Sequence, residues 1–224
     1  MNRQSNHTLK RRGIFITLEG IDGTGKSTQV RLLVKHLRAR GYPVVATREP
    51  GGTRVGEQAR GIVLASRTGN LAPLAELALM YAARAQHLEE VVRPALARGD
   101  VVVSDRFNDA SFAYQGYGRK LGVSTVRAFD RVVCGATQPD LTIVLDLSPR
   151  VALQRAQGRE ARRNSVRGRF EAAGLRFHER VRTGYQAIAR QEPRRVKIVR
   201  ADRPVVEVQA EIRRLVDALL ARHC

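Results

Sequence analysis

A chain of 224 residues, 43% hydrophobic and 27% charged, is long enough to bury a full core and has the composition of a soluble globular protein. Forty Lys+Arg against 21 Asp+Glu leave a formal charge of +19, which draws polyanions (nucleotides, nucleic acid or an anionic membrane) without choosing among them. Cys134 and Cys224 are the two cysteines, too few for a disulfide framework or a zinc site, and no apolar run approaches the ~20 residues of a membrane span.

Residues 1–12 carry four basic side chains and no apolar segment of the signal-peptide kind. They read as a short basic disordered tail on a cytoplasmic protein. Residues 13–222 read as one domain. Its first element is Ile14–Leu18, a short β-branched run typical of a buried strand. Directly after it come Gly20-Ile21-Asp22-Gly23-Thr24-Gly25-Lys26-Ser27, which fit the phosphate-loop pattern G-x-x-x-x-G-K-[ST]. A helical pattern over about 26–40 follows, with Val30, Leu33, Val34 and Leu37 on one face. Strand, glycine loop and helix form the context that makes such a match a site. The glycines let backbone N–H groups of Gly20 to Thr28 wrap a polyphosphate, aided by the positive end of the helix. Lys26 would reach the β- and γ-phosphates, and the Ser27 hydroxyl would hold Mg²⁺.

A second strand, Val44–Thr47, runs into Arg48-Glu49-Pro50-Gly51-Gly52-Thr53, a tight turn that leaves Arg48 at a strand end. Helical patterns follow at about 54–66 and 72–98. Met80 and Arg84 share a face of the second one. The third strand, Val101–Ser104, ends at Asp105 and Arg106. A carboxylate there can hold Mg²⁺, and the neighbouring guanidinium can fork onto a phosphate. Ala113 to Arg119 mix aromatic, amide and glycine residues in a loop suited to a sugar or base. Helix 123–134, strand Leu141–Leu147 and helix 149–157 come next. The stretch 155–169 holds six arginines against one acid and lacks apolar periodicity, so it reads as a mobile basic loop that can close over a phosphate site. Helix 170–190, strand Val196–Val199 and helix 204–222 complete the chain. Five short apolar strands alternating with helices predict an α/β fold: a five-stranded parallel sheet covered on both faces.

Five segments carry a resemblance to the bacterial thymidylate kinases, which are P-loop nucleoside-monophosphate kinases: Leu18 to Thr28, Thr47 to Thr53, Tyr81 to Arg84, Ser104 to Arg106 and Ala113 to Arg119. The resemblance spans about residues 13–200. It implies a three-layer P-loop kinase fold with a basic lid at about 155–169. It implies transfer of the γ-phosphoryl group of ATP to dTMP with Mg²⁺, in a homodimer; no membrane partner is expected, and the charge allows nucleic-acid binding without the activity requiring it. By the same resemblance Arg48 and Arg106 would hold the dTMP phosphate, and Asp22 the sugar 3′-hydroxyl or the metal. Arg84 would meet the thymine, Ser111 and Gln115 would lie near the base, and Tyr114 would pack against C2′ of the sugar. Arg159 and Arg163 are the lid arginines expected to join Lys26, Asp22 and Arg106 in catalysis, while Ser27 and Asp105 are the expected metal ligands. Met80 stands where the family usually has Phe, Phe112 where many members have Gln or Asn, and Phe107 where Tyr or His is common. The residues leave two alternatives open: another pyrimidine nucleotide kinase, or a nucleic-acid-stimulated ATPase.

Overall fold

The computed structural model describes residues 12–65, 71–163 and 169–223, without the side chains of residues 159–163 and 171. The expected basic tail therefore falls outside the described residues up to position 11. Arg12 is described, and its guanidinium lies 3.6 Å from Asp140.

Strands β1 (Ile14–Glu19), β2 (Val44–Arg48), β3 (Val101–Asp105), β4 (Leu141–Asp146) and β5 (Val196–Arg200) form one sheet in the order β2-β3-β1-β4-β5. Every neighbouring pair is parallel. β1 is central and buried along its whole length, whereas edge strand β2 is only partly covered. The period-2 alternation of strands sorts the core onto two faces. Ile14, Ile16, Leu18, Val101 and Val103 pack into one cluster, and Phe15 and Val102 into the other. Among the described residues, no helix is long and apolar enough to cross a membrane.

The helices are α1 (Lys26–Ala39), α2 (Arg54–Leu64), α3 (Pro73–His87), α4 (Arg93–Arg98), α5 (Asn108–Ser111), α6 (Val123–Val133), α7 (Pro149–Arg163), α8 (Leu175–Gln191) and α9 (Val205–His223). A wide π-type turn over Leu88–Val92 joins α3 to α4, so the predicted helix 72–98 is nearly continuous.

Two segments differ from the sequence reading. The stretch after β3, read as a loop, is helical: α5 passes into a π-type segment, Phe112–Gly118. Small residues permit its close approach to α8. A Cβ on Gly184 would meet the Tyr117 ring at 2.9 Å, and one on Gly118 would meet Phe177 at 2.7 Å. The basic stretch read as a loop from 155 is helical as far as Arg163, as the end of α7. Ala152, Leu153 and Ala156 anchor the start of α7 in the core, and the Arg, Gln, Glu and Ala that follow are good helix formers. The remainder of the expected lid, 164–168, lies outside the described residues.

Candidate active site

The parallel sheet gathers the carboxyl ends of β1, β2 and β3 on one edge, where α/β folds collect ligands. The loop after β1 depends on glycine. Gly20 and Gly23 have φ of +131° and +90°, and a Cβ would lie 2.5 Å from the Leu145 carbonyl oxygen at the first and 2.0 Å from that of Ala152 at the second. Gly25 is left-handed and caps the start of α1 with no side-chain cap bond, and the Thr28 N–H closes the first turn onto the Gly25 carbonyl at 3.1 Å, so the positive end of α1 stands at the loop. Thr24 Oγ1 donates to the Ile21 carbonyl at 2.9 Å, which closes the turn. Lys26 is buried, and its ammonium donates to the same carbonyl at 3.1 Å and lies 3.7 Å from Asp22. Burial, reinforced by nearby Arg106, lowers its pKa against the pull of Asp22 and Asp105. Ser27 Oγ donates to Asp105 Oδ2 at 2.8 Å across the gap between α1 and β3.

Arg106 is the hub. Its φ of 77° is left-handed, an arrangement that a side chain keeps only when its surroundings fix it. Its guanidinium donates to the Gly20 carbonyl (2.8 Å), Tyr185 Oη (3.2 Å), Asp22 Oδ1 (2.8 Å) and Tyr114 Oη (3.0 Å). Burial pushes the Asp22 carboxyl up, but Arg106 and Lys26 outweigh it and hold the group below the usual carboxylate range. Glu19, at the end of β1, accepts from the Phe107 N–H and from Tyr185 Oη, each at 2.7 Å. Burial raises its pKa to about 7, although Arg106 pulls the other way.

Two cavities meet at this hub. The first is lined by Gly23, Gly25, Lys26, Ser27, Arg48 and Asp105. The second is lined by Leu64, Met80, Ala110, Tyr114, Gln115 and Phe170. Asp22, Glu49, Arg60 and Arg106 belong to both walls. A polar, cationic chamber thus opens into a largely apolar one through a wall of two guanidiniums and two carboxylates.

Most of the residues singled out from sequence are brought together here. Of these two cavities Arg48 lines the phosphate-loop chamber and not the second; it is 55% exposed, with its guanidinium 3.0 Å and 3.1 Å from the two Glu57 oxygens. Met80 and Arg84 share a helix, but only Met80 reaches the cavity wall. Arg84 is wholly buried behind it and donates to Glu49 Oε2 (2.7 Å), Ser111 Oγ (3.1 Å) and the Phe107 carbonyl (3.0 Å). Ser111 is buried with it, and Phe112 packs into the core clusters; neither lines the cavity. Phe107 is core, edge-on to Phe15 with ring centroids 4.8 Å apart. The side chains of Arg159 and Arg163 lie outside the described residues. Arg169, at the far end of the basic stretch, pairs with Glu76 at 2.9 Å.

Arg60, Glu19 and Tyr185 went unread. Arg60 had a weak signal. It stands one helical turn before Leu64 on α2, and both side chains line the cavity. Its guanidinium donates to the Pro50 carbonyl at 2.8 Å. The Glu49–Pro50 peptide is cis.

The family model described as thymidylate kinase matches residues 18–212. A thymidylate kinase of Methylococcus capsulatus is 50% identical over 211 residues, covering 94% of this chain and 98% of the relative. One of Desulfovibrio desulfuricans is 47% identical over 211 residues, covering 93% and 97%. The crystal structure of thymidylate kinase from Ehrlichia chaffeensis superposes with a TM-score of 0.73 at 31% identity, covering 92% of this chain and 99% of that one. With a family model matched over residues 18–212 and relatives of 47% and 50% identity along nearly the whole of their length, the chain belongs to the thymidylate kinase family.

Proposed function

We propose that the protein transfers the γ-phosphoryl group of ATP to dTMP, giving dTDP and ADP. The observation that carries this reading is the shared wall. A chamber built from a phosphate loop adjoins one built from Met80, Leu64, Phe170, Tyr114 and Gln115, and two guanidiniums stand between them. A hydrolase needs one nucleotide chamber; transfer between two nucleotides needs two that meet.

In this reading the loop from Gly20 to Thr28 cradles the ATP phosphates, and dTMP occupies the second chamber. An oxygen of the dTMP phosphate attacks the γ-phosphorus as the bond to the ADP oxygen breaks, so no side chain is covalently modified. Catalysis is positioning and charge neutralisation. Lys26 and Arg106 face the migrating group, Asp22 orients Arg106, and Arg48 and Arg60 balance the acceptor phosphate. Arg159 and Arg163 complete the cationic shell from the lid. Tyr114 packs on the sugar, and Met80 and Gln115 meet the base.

Ser27 and Asp105 would hold Mg²⁺. A hydroxyl and a carboxylate 2.8 Å apart open on the phosphate chamber. Among the described residues no group of three or more His, Cys, Asp or Glu could hold a metal. This donor set fits a cation that takes hard oxygen ligands and most of its shell from phosphates and water. When bound, Mg²⁺ neutralises charge on the transferring phosphates. A homodimer in the cytoplasm, independent of nucleic acid, belongs to the same reading.

The test is a coupled ADP-release assay with ATP and Mg²⁺, comparing dTMP, dUMP, dCMP, dGMP and no acceptor. Turnover should be strongest with dTMP. ADP release at the same rate without an acceptor would overturn the reading.

A further inference from the structure

Glu76 takes no part in the chemistry above, yet it is a wholly buried carboxylate one turn before Met80 on α3. Among the described residues its side-chain partners are three. Gln115 Nε2 donates to Oε1 at 2.7 Å. Arg119 Nε lies 3.3 Å and 3.1 Å from the two oxygens. The Arg169 guanidinium approaches Oε2 to 2.9 Å. Arginine only donates, so both oxygens of Glu76 act as acceptors here.

That arrangement has a consequence for Gln115. An amide can present either its NH₂ or its oxygen to a neighbour, and the two ends have nearly the same shape. Beside a carboxylate acceptor only the NH₂ fits. The amide is therefore fixed in one orientation, and Gln115 Oε1 is a buried acceptor without a hydrogen-bond partner among the described residues. Gln115 is on the wall of the apolar cavity. A buried orphan acceptor costs free energy until a donor meets it, so a ligand offering a donor at that point is favoured and one offering a lone pair is opposed.

We infer that Glu76 is a positioning residue that sets base specificity: by locking the Gln115 amide, it makes the cavity select bases with a ring N–H, thymine and uracil, against cytosine, whose ring nitrogen is an acceptor. The inference rests on reading the second cavity as the nucleoside-monophosphate site. The remaining Glu76 contacts tie this lock to Arg169, at the end of the basic stretch, and to Arg119, whose guanidinium lies 4.7 Å from the Phe177 ring centroid.

The test is Glu76→Gln, which can offer Gln115 either a donor or an acceptor and so releases the amide. The readout is the ratio of kcat/KM for dTMP to that for dCMP. It should fall by about ten-fold or more, with KM for ATP unchanged. Glu76→Asp, which keeps an acceptor, should retain more of the ratio. In a Gln115→Leu background, Glu76→Gln should leave the ratio where Gln115→Leu alone puts it, because the amide is gone. If Glu76→Gln lowers both kcat/KM values equally, or shifts the ratio equally in both backgrounds, Glu76 is a structural ion-pair partner only. Should the single variant fail to fold, Glu76→Gln with Arg169→Leu removes the unpaired guanidinium, and the ratio still isolates the base. A wild-type enzyme that does not prefer dTMP to dCMP would instead sink the parent reading.

Discussion

The Tyr185 hydroxyl donates to Glu19 Oε2 at 2.7 Å, joining α8 to the strand end that leads into the phosphate loop. Neither side chain reaches solvent appreciably. Burial lifts the Glu19 pKa from 4.5 to about 7, with Arg106 opposing. The folded chain therefore holds a proton on Glu19 that the unfolded chain releases near pH 4.5. This stabilising contribution is complete below about pH 4.5 and is lost as pH rises through about 7. Its size is on the order of 3 kcal/mol. Denaturant unfolding across pH 5 to 8 should show this slope in the wild type, while Glu19→Gln, which cannot ionise, should flatten it. An identical slope in the variant would remove Glu19 from the account.

Among the described residues, Lys26 bonds to its own loop, through the Ile21 carbonyl and Asp22. Lys26→Met keeps the length of the stem and deletes the charge. Turnover should fall by roughly 10²–10³-fold, as when one preorganised electrostatic group is removed from a transition state. The melting temperature should change by only a few degrees. Near-normal kcat in a well-folded Lys26→Met protein would show that the ammonium does not stabilise the transferred group.

The parts of this site that could be read from sequence are local. Residues 14–39 contain strand, glycine turn and helix without interruption, so spacing alone marks Lys26 and Ser27. Arg106 was legible because it directly follows a buried strand. Arg60 was not. It is one arginine on a polar-faced helix, and only the turn from Arg48 to Thr53 carries that helix back over the loop, where Arg60 meets the Pro50 carbonyl. The segment Phe112–Gly118 was misread because glycine and aromatic composition suggests a loop, while packing against Phe177, Val181 and Gly184 keeps it helical. The resemblance puts Arg84 at the base; the groups that hold its guanidinium, Glu49, Ser111 and the Phe107 carbonyl, come from 23 to 35 residues away in the chain. Long-range closure of this kind leaves no periodic trace.

Arg60 should therefore matter more than its isolated place in the sequence suggests. It lines both chambers, and burial together with Arg48 lowers its pKa, a destabilisation that an incoming phosphate would relieve. Arg60→Gln keeps a donor for the Pro50 carbonyl while removing the charge. We expect kcat/KM for dTMP to drop by about 10–100-fold, the value of one charge-assisted hydrogen bond. Steady-state kinetics at fixed saturating ATP would show it. A change of less than two-fold would place Arg60 among the structural residues.

Arg106 makes the sharpest case because it does two things at once. Its fork reaches four acceptors on three elements, and one ammonium could not satisfy them together. Arg106→Lys should cost about 10²-fold in kcat/KM and lower the melting temperature. Arg106 is also the strongest influence holding Asp22 ionised against burial. Without it, desolvation gains ground and the Asp22 carboxyl takes up a proton at higher pH. A lowered pKa means that Asp22 stays ionised through the acid range in the wild type, so it sets no activity limit near neutrality. In Arg106→Ala, residual activity should gain an acid limb displaced to higher pH, visible in kcat/KM against pH from 5 to 9. Asp22→Asn in the same background should abolish that limb. If the limb appears regardless of Asp22, another group is titrating. If no limb appears at all, Lys26, 3.7 Å from the carboxyl, is sufficient to keep Asp22 ionised without the arginine.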